Sequence, residues 1–213
     1  MILVCKTIRL IGRLTGRGSS LPGQIALKLD PDILSKIKMP PYIVAVTGSN
    51  GKTSTVELIA RILKDAGKSF AYNKEGSNQI EGVTTLILEH CTFSGKVKPE
   101  IILIESDERF AKYTFRYFSP THYIITNLYR DQLTRNGHPE WVAHAIEESI
   151  RPETQLVLNA DDPLVSKSPG RDNTVYFGAD RLPQSTDSCT SLYNDGKYCP
   201  NCKQPLEYAV LSL

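Results

Sequence analysis

The chain has 213 residues, 40% of them apolar, with 25 basic and 23 acidic side chains and a net charge of +2. That length suits one large or two small domains with a buried core, so a soluble globular protein is expected, and a charge so near neutral gives no electrostatic case for a nucleic-acid partner. No apolar run approaches the ~20 residues that cross a bilayer, the five cysteines fit a reducing cytoplasm better than a disulfide framework, and Lys6, Arg9 and Arg13 interrupt the N-terminal apolar positions as no secretory signal would.

Residues Ile2 to Leu14 set Ile8, Ile11 and Leu14, or Leu3 and Leu10, on one helical side, with Lys6, Arg9, Arg13 and Arg17 elsewhere, which reads as a short basic amphipathic helix. Such a helix either packs on the main domain with its cations solvated, which is the expectation, or lies on an anionic membrane surface. GRGSSLPGQ reads as a loop, Asp32 to Ile37 as a turn of helix, and Pro40 and Pro41 as the lead into a strand. Tyr42 to Val46 is a β-branched run of the kind buried in parallel sheets. From Thr53 onward Val56, Ile59, Ile62, Leu63 and Ala66 recur at helical spacing until Gly67 supplies a stop. The alternation continues with a strand Ser69 to Tyr72, a helix Gln79 to Glu89 with Ile80, Val83, Ile87 and Leu88 inward, and strands Glu100 to Glu105 and Thr121 to Thr126. A helix from about Pro139 to Ile150 and strands Gln155 to Leu158 and Thr174 to Phe177 complete it. This order predicts an α/β fold on a mostly parallel sheet, with ligands at the carboxyl ends of the strands. The expected division is a basic helix and loop over 1–39, a nucleotide-binding domain over 40–180, and the start of a zinc ribbon over 181–213.

Between the first long strand and its helix stands TGSNGKTS, a glycine-bracketed loop. Gly48 and Gly51 let the backbone curl so that its N–H groups, with the helix N-terminus, point at phosphate oxygens, Lys52 adds a point charge, and the Thr53 hydroxyl can ligate Mg²⁺, which makes Gly48, Ser49, Asn50, Gly51, Lys52, Thr53 and Ser54 the candidate ATP-binding residues. The full GxxxxGK[ST] pattern wants glycine where this chain has Val46, so the fingerprint is the shorter GxxGKT. Glu105 ends the EIILIE run beside that loop and is the candidate carboxylate for Mg²⁺, with Asp107 and Glu108 following it. Asn127, Arg130, Asp131, Gln132 and Arg135 follow the next strand, and Asn159, Asp161 and Asp162 the one after. Those residue types meet substrate or metal in some sites and form helix caps or Asx turns in others. Cys199 and Cys202 have the spacing of a zinc knuckle, which is half of a four-ligand site.

TGSNGKTS, IESDE, TNLYRDQLTR and LNADDP together resemble the Mur ligase superfamily. LPGQIALKLDPDIL before the loop, NKEGSN ending at Asn78 after it, RDQLTR in place of the more usual DHLDR, and the CPNC pair resemble the amide-forming branch of that superfamily. The resemblance covers essentially the whole chain. It implies ATP-dependent amidation of the D-glutamate α-carboxylate of lipid II to D-isoglutamine through an acyl phosphate, in bacterial peptidoglycan synthesis. The ammonia would come from a glutaminase partner resembling GatD, and the enzyme would be cytoplasmic, with possible placement at the inner membrane face. The implied cofactors are ATP on Gly48 to Ser54, Mg²⁺ on Thr53 and Glu105, and structural Zn²⁺ on Cys199 and Cys202. Asn78, Asp107, Glu108, Asp131 and Gln132 would line the substrate or metal environment.

The chain also departs from the family's pattern. Gln132 stands where many Mur ligases place a metal-binding His, no Lys occurs from Asp131 to Ile150 to match their carbamylated lysine, and Arg109 replaces a frequent Gly. The family's second cysteine pair, adenine-contacting segment and C-terminal domain with its catalytic Asp are expected beyond Leu213, so no catalytic residue is assigned here, and the 213-residue form is expected to bind nucleotide weakly without turnover. Two other readings stay open: a Mur-type amino-acid ligase or folylpolyglutamate synthase, and a non-catalytic nucleotide- or zinc-binding interaction module.

Overall fold

Short runs rich in Val, Ile and Tyr, each followed by a connection that carries a helix, pair in parallel when that connection is a crossover returning the chain to the same end of the sheet. The computed structural model describes residues 2–15, 20–73, 77–128, 139–167, 172–179 and 198–206. Its strands are β1 (Tyr42–Thr47), β2 (Phe70–Tyr72), β3 (Ile101–Glu105), β4 (His122–Ile125), β5 (Gln155–Asn159) and β6 (Thr174–Phe177). They form one sheet in the order β2-β3-β1-β4-β5-β6, parallel at every step. The helices are α1 (Ile2–Thr15), α2 (Leu21–Leu29), α3 (Lys52–Asp65), α4 (Ile80–Glu89), α5 (Ala111–Thr114), α6 (Pro139–Glu147) and α7 (Pro163–Ser166). The α/β parallel sheet expected from the sequence is therefore present. α5 and α7, each four residues long, were too short to register as a periodic pattern.

Side chains alternate between the two faces of the sheet. Ile43, Ala45, Ile102, Ile104, Tyr123, Ile125, Leu156 and Leu158 enter the larger core with residues of α2, α4 and α6. Val46 and Leu103 point the other way and meet Val56 and Ala60 of α3. Val46, the departure from the full phosphate-loop pattern, is thus a core residue at the end of β1 and completely buried. Because β1 lies between β3 and β4, the chain leaves it toward one side of the sheet and later crosses to the other, which puts the loop after β1 at a topological switch point.

The N-terminal region differs from its sequence reading. LPGQ, expected as loop, opens α2. Pro22 occupies the first turn, where no N–H is needed for the helix ladder. Gly23 lies so close to α4 that a Cβ there would stand 1.9 Å from the Glu81 carbonyl oxygen; its N–H donates to Thr85 Oγ1 at 2.8 Å, closing α2 onto α4. α1 packs on this pair through Cys5, 1% exposed. Packing on the domain is as expected, but Arg9 is not left to solvent: its Nε lies 3.2 Å from Glu89. Of the segment expected to begin a zinc ribbon, residues 198–206 make a tight turn closed by an antiparallel bridge between Tyr198 and Pro205. The rest of that segment lies outside the described residues. No described helix is long and apolar enough to cross a membrane.

Candidate nucleotide site

The loop after β1 is built by backbone constraints that only its own residues satisfy. Gly48 has φ +136°, and a Cβ there would sit 2.2 Å from Thr126 Oγ1, so the chain passes under the end of β4 only with glycine. Gly51 caps α3 in the left-handed region at φ +81°. The β4 side pins the loop: Ser49 N–H donates to the Asn127 carbonyl at 2.8 Å, Asn50 N–H to Asn127 Oδ1 at 2.9 Å, and Asn127 Nδ2 returns to the Asn50 carbonyl at 3.1 Å. Thr126 Oγ1 also donates to the Asn50 carbonyl, at 2.7 Å. The N-terminus of α3 carries no side-chain cap and no acid in its first turn. Its free N–H groups and dipole therefore face outward for an anion.

Two pairs of side chains join this loop to the end of β3. Thr53 Oγ1 donates to Glu105 Oε2 at 2.9 Å. Lys52 Nζ lies 3.2 Å from Glu108 Oε2 and also donates back to the carbonyls of Gly48 and Ser49. Both members of the Lys52–Glu108 pair are largely buried, with side chains 14% and 7% exposed. Thr53 is exposed while Glu105 is buried, so the hydroxyl marks the accessible side of the pair. A hydroxyl and a carboxylate are hard oxygen donors, which suits Mg²⁺, an ion that keeps several waters and completes its shell with phosphate oxygens. No group of three or more His, Cys, Asp or Glu side chains able to hold a metal occurs among the described residues.

Asn73 is a site-building residue that sequence reading missed. Buried at the end of β2, it accepts the Glu105 N–H at 2.9 Å and donates to the carbonyls of Glu105 and Ser77 at 3.1 and 2.9 Å. It fixes the direction in which Glu105 leaves its strand. Nothing in its local sequence signals this, because its partner lies 32 positions away. Asn78 contributes its carbonyl, which accepts the Asp107 N–H at 3.0 Å. Asp107 itself is engaged by Arg109, whose Nη2 lies 3.2 Å from Oδ2 and whose backbone N–H donates to Oδ1 at 3.0 Å. The hydrogen bond to Asp107 holds the Arg109 guanidinium above its ordinary range. The odd Arg109 therefore orders the turn after β3. Asp131 and Gln132, with Arg130 and Arg135, lie outside the described residues.

The polar residues after β5 go to backbone. Asn159 Oδ1 accepts the Asp161 N–H at 2.9 Å in an Asx turn, while its Nδ2 donates to the Thr126 carbonyl at 2.8 Å. Asp161 accepts the Ala179 N–H at 2.7 Å. Asp162 caps α7 by accepting from Leu164 and Val165 N–H at 2.8 and 3.2 Å, and its other oxygen accepts from Leu128 N–H at 2.6 Å. Burial raises the Asp162 carboxyl above the usual carboxylate value, against the opposing pull of those three N–H groups.

Cys199 and Cys202 stand on a hairpin turn held by Cys199 N–H to the Gln204 carbonyl at 2.8 Å and Lys203 N–H to the Cys199 carbonyl at 3.0 Å. Hydrogen bonds from the backbone N–H groups of Cys202 and Asn201 lower the Cys199 thiol below its ordinary value. Two thiols on such a turn fit one edge of a tetrahedral thiolate set, and no third ligand joins them among the described residues.

Comparison with known proteins agrees with this geometry. Residues 46–192 match the family model described as the Mur ligase middle domain. The lipid II isoglutaminyl synthase (glutamine-hydrolyzing) subunit MurT of Staphylococcus aureus (strain COL) is 36% identical over 209 residues, which is 97% of this chain and 46% of that protein. The subunit of the same name from Streptococcus pneumoniae (strain ATCC BAA-255 / R6) is 36% identical over 195 residues, 91% of this chain and 43% of that one. The chain thus spans less than half the length of these relatives. Among solved structures, a pseudomurein peptide ligase type C from Methanothermus fervidus superposes with a TM-score of 0.60 and 28% identity, covering 84% of this chain and 34% of that one. With its parallel sheet, its glycine-bracketed loop at the switch point and a family match over most of its length, the chain belongs to the Mur ligase family and carries that family's middle domain.

Proposed function

We propose that the chain provides the ATP-binding, carboxylate-activating part of a synthetase that amidates the D-glutamate α-carboxylate of lipid II to D-isoglutamine. The observation that carries this reading is the Thr53–Glu105 pair at the uncapped N-terminus of α3, with Lys52 beside it. The likeness to the two MurT subunits supports the choice of acceptor. In this scheme the N–H groups at the N-terminus of α3 hold the triphosphate, those of Ser49 and Asn50 being engaged by Asn127, and Lys52 exchanges the carbonyls of Gly48 and Ser49 for phosphate oxygens. Thr53 and Glu105 would hold Mg²⁺, which neutralises charge on the γ-phosphate. A carboxylate oxygen then attacks the γ-phosphorus as ADP leaves, giving an acyl phosphate. Ammonia attacks its carbonyl carbon and phosphate departs. The residues on this chain contribute electrostatic stabilisation and alignment to the first step.

The ammonia source in this reading is a glutaminase subunit resembling GatD, and the lipid-linked acceptor sets the reaction at the cytoplasmic face of a bacterial membrane. Cys199 and Cys202 supply two of the thiolates for a structural zinc. Calorimetric titration with ATP in the presence and absence of Mg²⁺ tests the central point. Metal-dependent binding that Lys52→Ala abolishes is expected, and its absence in the wild type overturns the reading. Mass spectrometry of lipid II after incubation with ATP, glutamine and the glutaminase then identifies the reaction: conversion of the carboxylate to its amide is expected, and an added amino acid would indicate the amino-acid ligase alternative.

A further inference from the structure

The N-terminal helix presents the wrong face to solvent for an ordinary domain helix. Cys5 and Arg9 turn inward, with Arg9 neutralising Glu89 at 3.2 Å. Leu3 and Leu10, seven positions apart and hence on one side of the helix, are each 62% exposed, with Val4 at 44%. A helix packed on a globular core ordinarily turns leucines such as Leu3 and Leu10 inward and leaves an arginine such as Arg9 in water. A second element continues the patch. Lys6 Nζ lies 5.6 Å from the ring centroid of Phe93, which is 74% exposed on the turn after α4. Lys96 and Lys98 are exposed on the same loop, and no acidic residue precedes Asp30 in the sequence.

Exposed leucine and phenylalanine bordered by lysine is the composition that an anionic bilayer interface accepts, the apolar side chains entering the acyl boundary while the ammonium groups meet lipid phosphates. Lysine is by contrast depleted from protein–protein interfaces. We propose that α1 and the Phe93 turn form a docking surface for an anionic lipid bilayer. One short helix and a few lysines give weak, reversible attachment, which lets an enzyme move between substrates embedded in that bilayer. The surface is separate from the loop at Gly48–Ser54, so its test does not depend on which group is amidated.

The test is vesicle flotation of the full chain with phosphatidylcholine alone and with phosphatidylglycerol added. The wild type should float only with the anionic vesicles and lose binding as salt rises. Leu10→Glu and Phe93→Ser should each weaken binding on the order of ten-fold while leaving ATP binding intact, which also reports that the variants fold. Wild-type protein that stays with the soluble fraction, binding that ignores salt, or unchanged binding in both variants overturns the proposal. So does a wild-type dimer in sedimentation that becomes monomeric in Leu10→Glu without vesicle binding, because the patch would then be an interface between copies.

Discussion

Two groups of polar side chains leave the same end of one sheet, and they are used in opposite ways. At the β1–β3 side, Thr53 bonds to Glu105 across the loop, and Lys52 pairs with Glu108 while also donating to the Gly48 and Ser49 carbonyls. At the β4–β5 side, Asn127, Asn159, Asp161 and Asp162 bond to backbone N–H and carbonyl groups. A side-chain partner can swing away and be replaced by phosphate or metal at little structural cost. A partner on buried backbone gives way at greater cost, since losing it leaves a buried N–H or carbonyl without a bond. The difference separates contacts that can be exchanged from contacts that hold the scaffold, among residues of the same chemical type.

The sharpest way to break that contrast is at Lys52. Lys52→Ala should reduce ATP affinity by about 10²-fold or more, since in the proposed scheme it removes a point charge that meets the triphosphate. It should also destabilise the fold by about 3 kcal/mol, because Glu108 is left as an unpaired buried carboxylate. Adding Glu108→Gln to that variant should restore most of the stability and none of the binding. Calorimetric melting and ATP titration of the single and double variants check both parts. Next in size, Asp162→Ala should cost about 3 kcal/mol of stability through loss of the α7 cap and of the bond to Leu128 N–H. ATP affinity of the folded protein should stay within about two-fold of wild type, being about 0.4 kcal/mol in binding free energy. A large drop in affinity without a drop in melting temperature would place Asp162 on the binding side of the divide.

How far the sequence revealed this divide follows from range. The loop Gly48–Ser54 was legible because strand, glycine turn and helix are adjacent in the chain. Glu105 was legible because it ends an unbroken apolar run. Even the Asp162 cap is a local signal, an acid directly before Pro163 at a helix start, although it was equally readable as a ligand. What the sequence concealed are pairings between distant residues: Lys52 with Glu108, 56 positions apart, and Asn73 with Glu105, 32 apart. The misreading of LPGQ has the same origin. Locally Pro-Gly signals a turn, and only the close approach of α4 explains a glycine inside α2.

Asn127 tests the contrast from its boundary, since it stands on the scaffold side but its bonds hold the loop. Asn127→Ala removes the bonds to Asn50 N–H and carbonyl. Each is worth about 1 kcal/mol when made to a group that water can otherwise reach. The loop should lose preorganisation, and ATP affinity should fall about five- to ten-fold, with a change in melting temperature of only a few degrees. Equal loss in stability and binding would show that loop and scaffold form one unit.

The smallest expected effect is the pH dependence of the scaffold. Burial raises the Asp162 carboxyl above the ordinary aspartate value of about 3.9. In the unfolded chain the group releases its proton near that value, while in the folded chain it still holds it, so over this window the native state binds more protons. Stability then falls as pH rises from the unfolded pKa through the folded one. This group's contribution is most favourable below pH about 4 and is lost above the raised folded value. Asp162→Asn, which keeps the shape and cannot ionise, should show a smaller decline across that window than wild type. The difference between the two melting temperatures should therefore change as pH rises from the unfolded value of about 4 through the raised folded one, and level off above it. A constant difference would mean that the three N–H donors fully offset the burial, leaving a carboxylate as content inside the scaffold as in water.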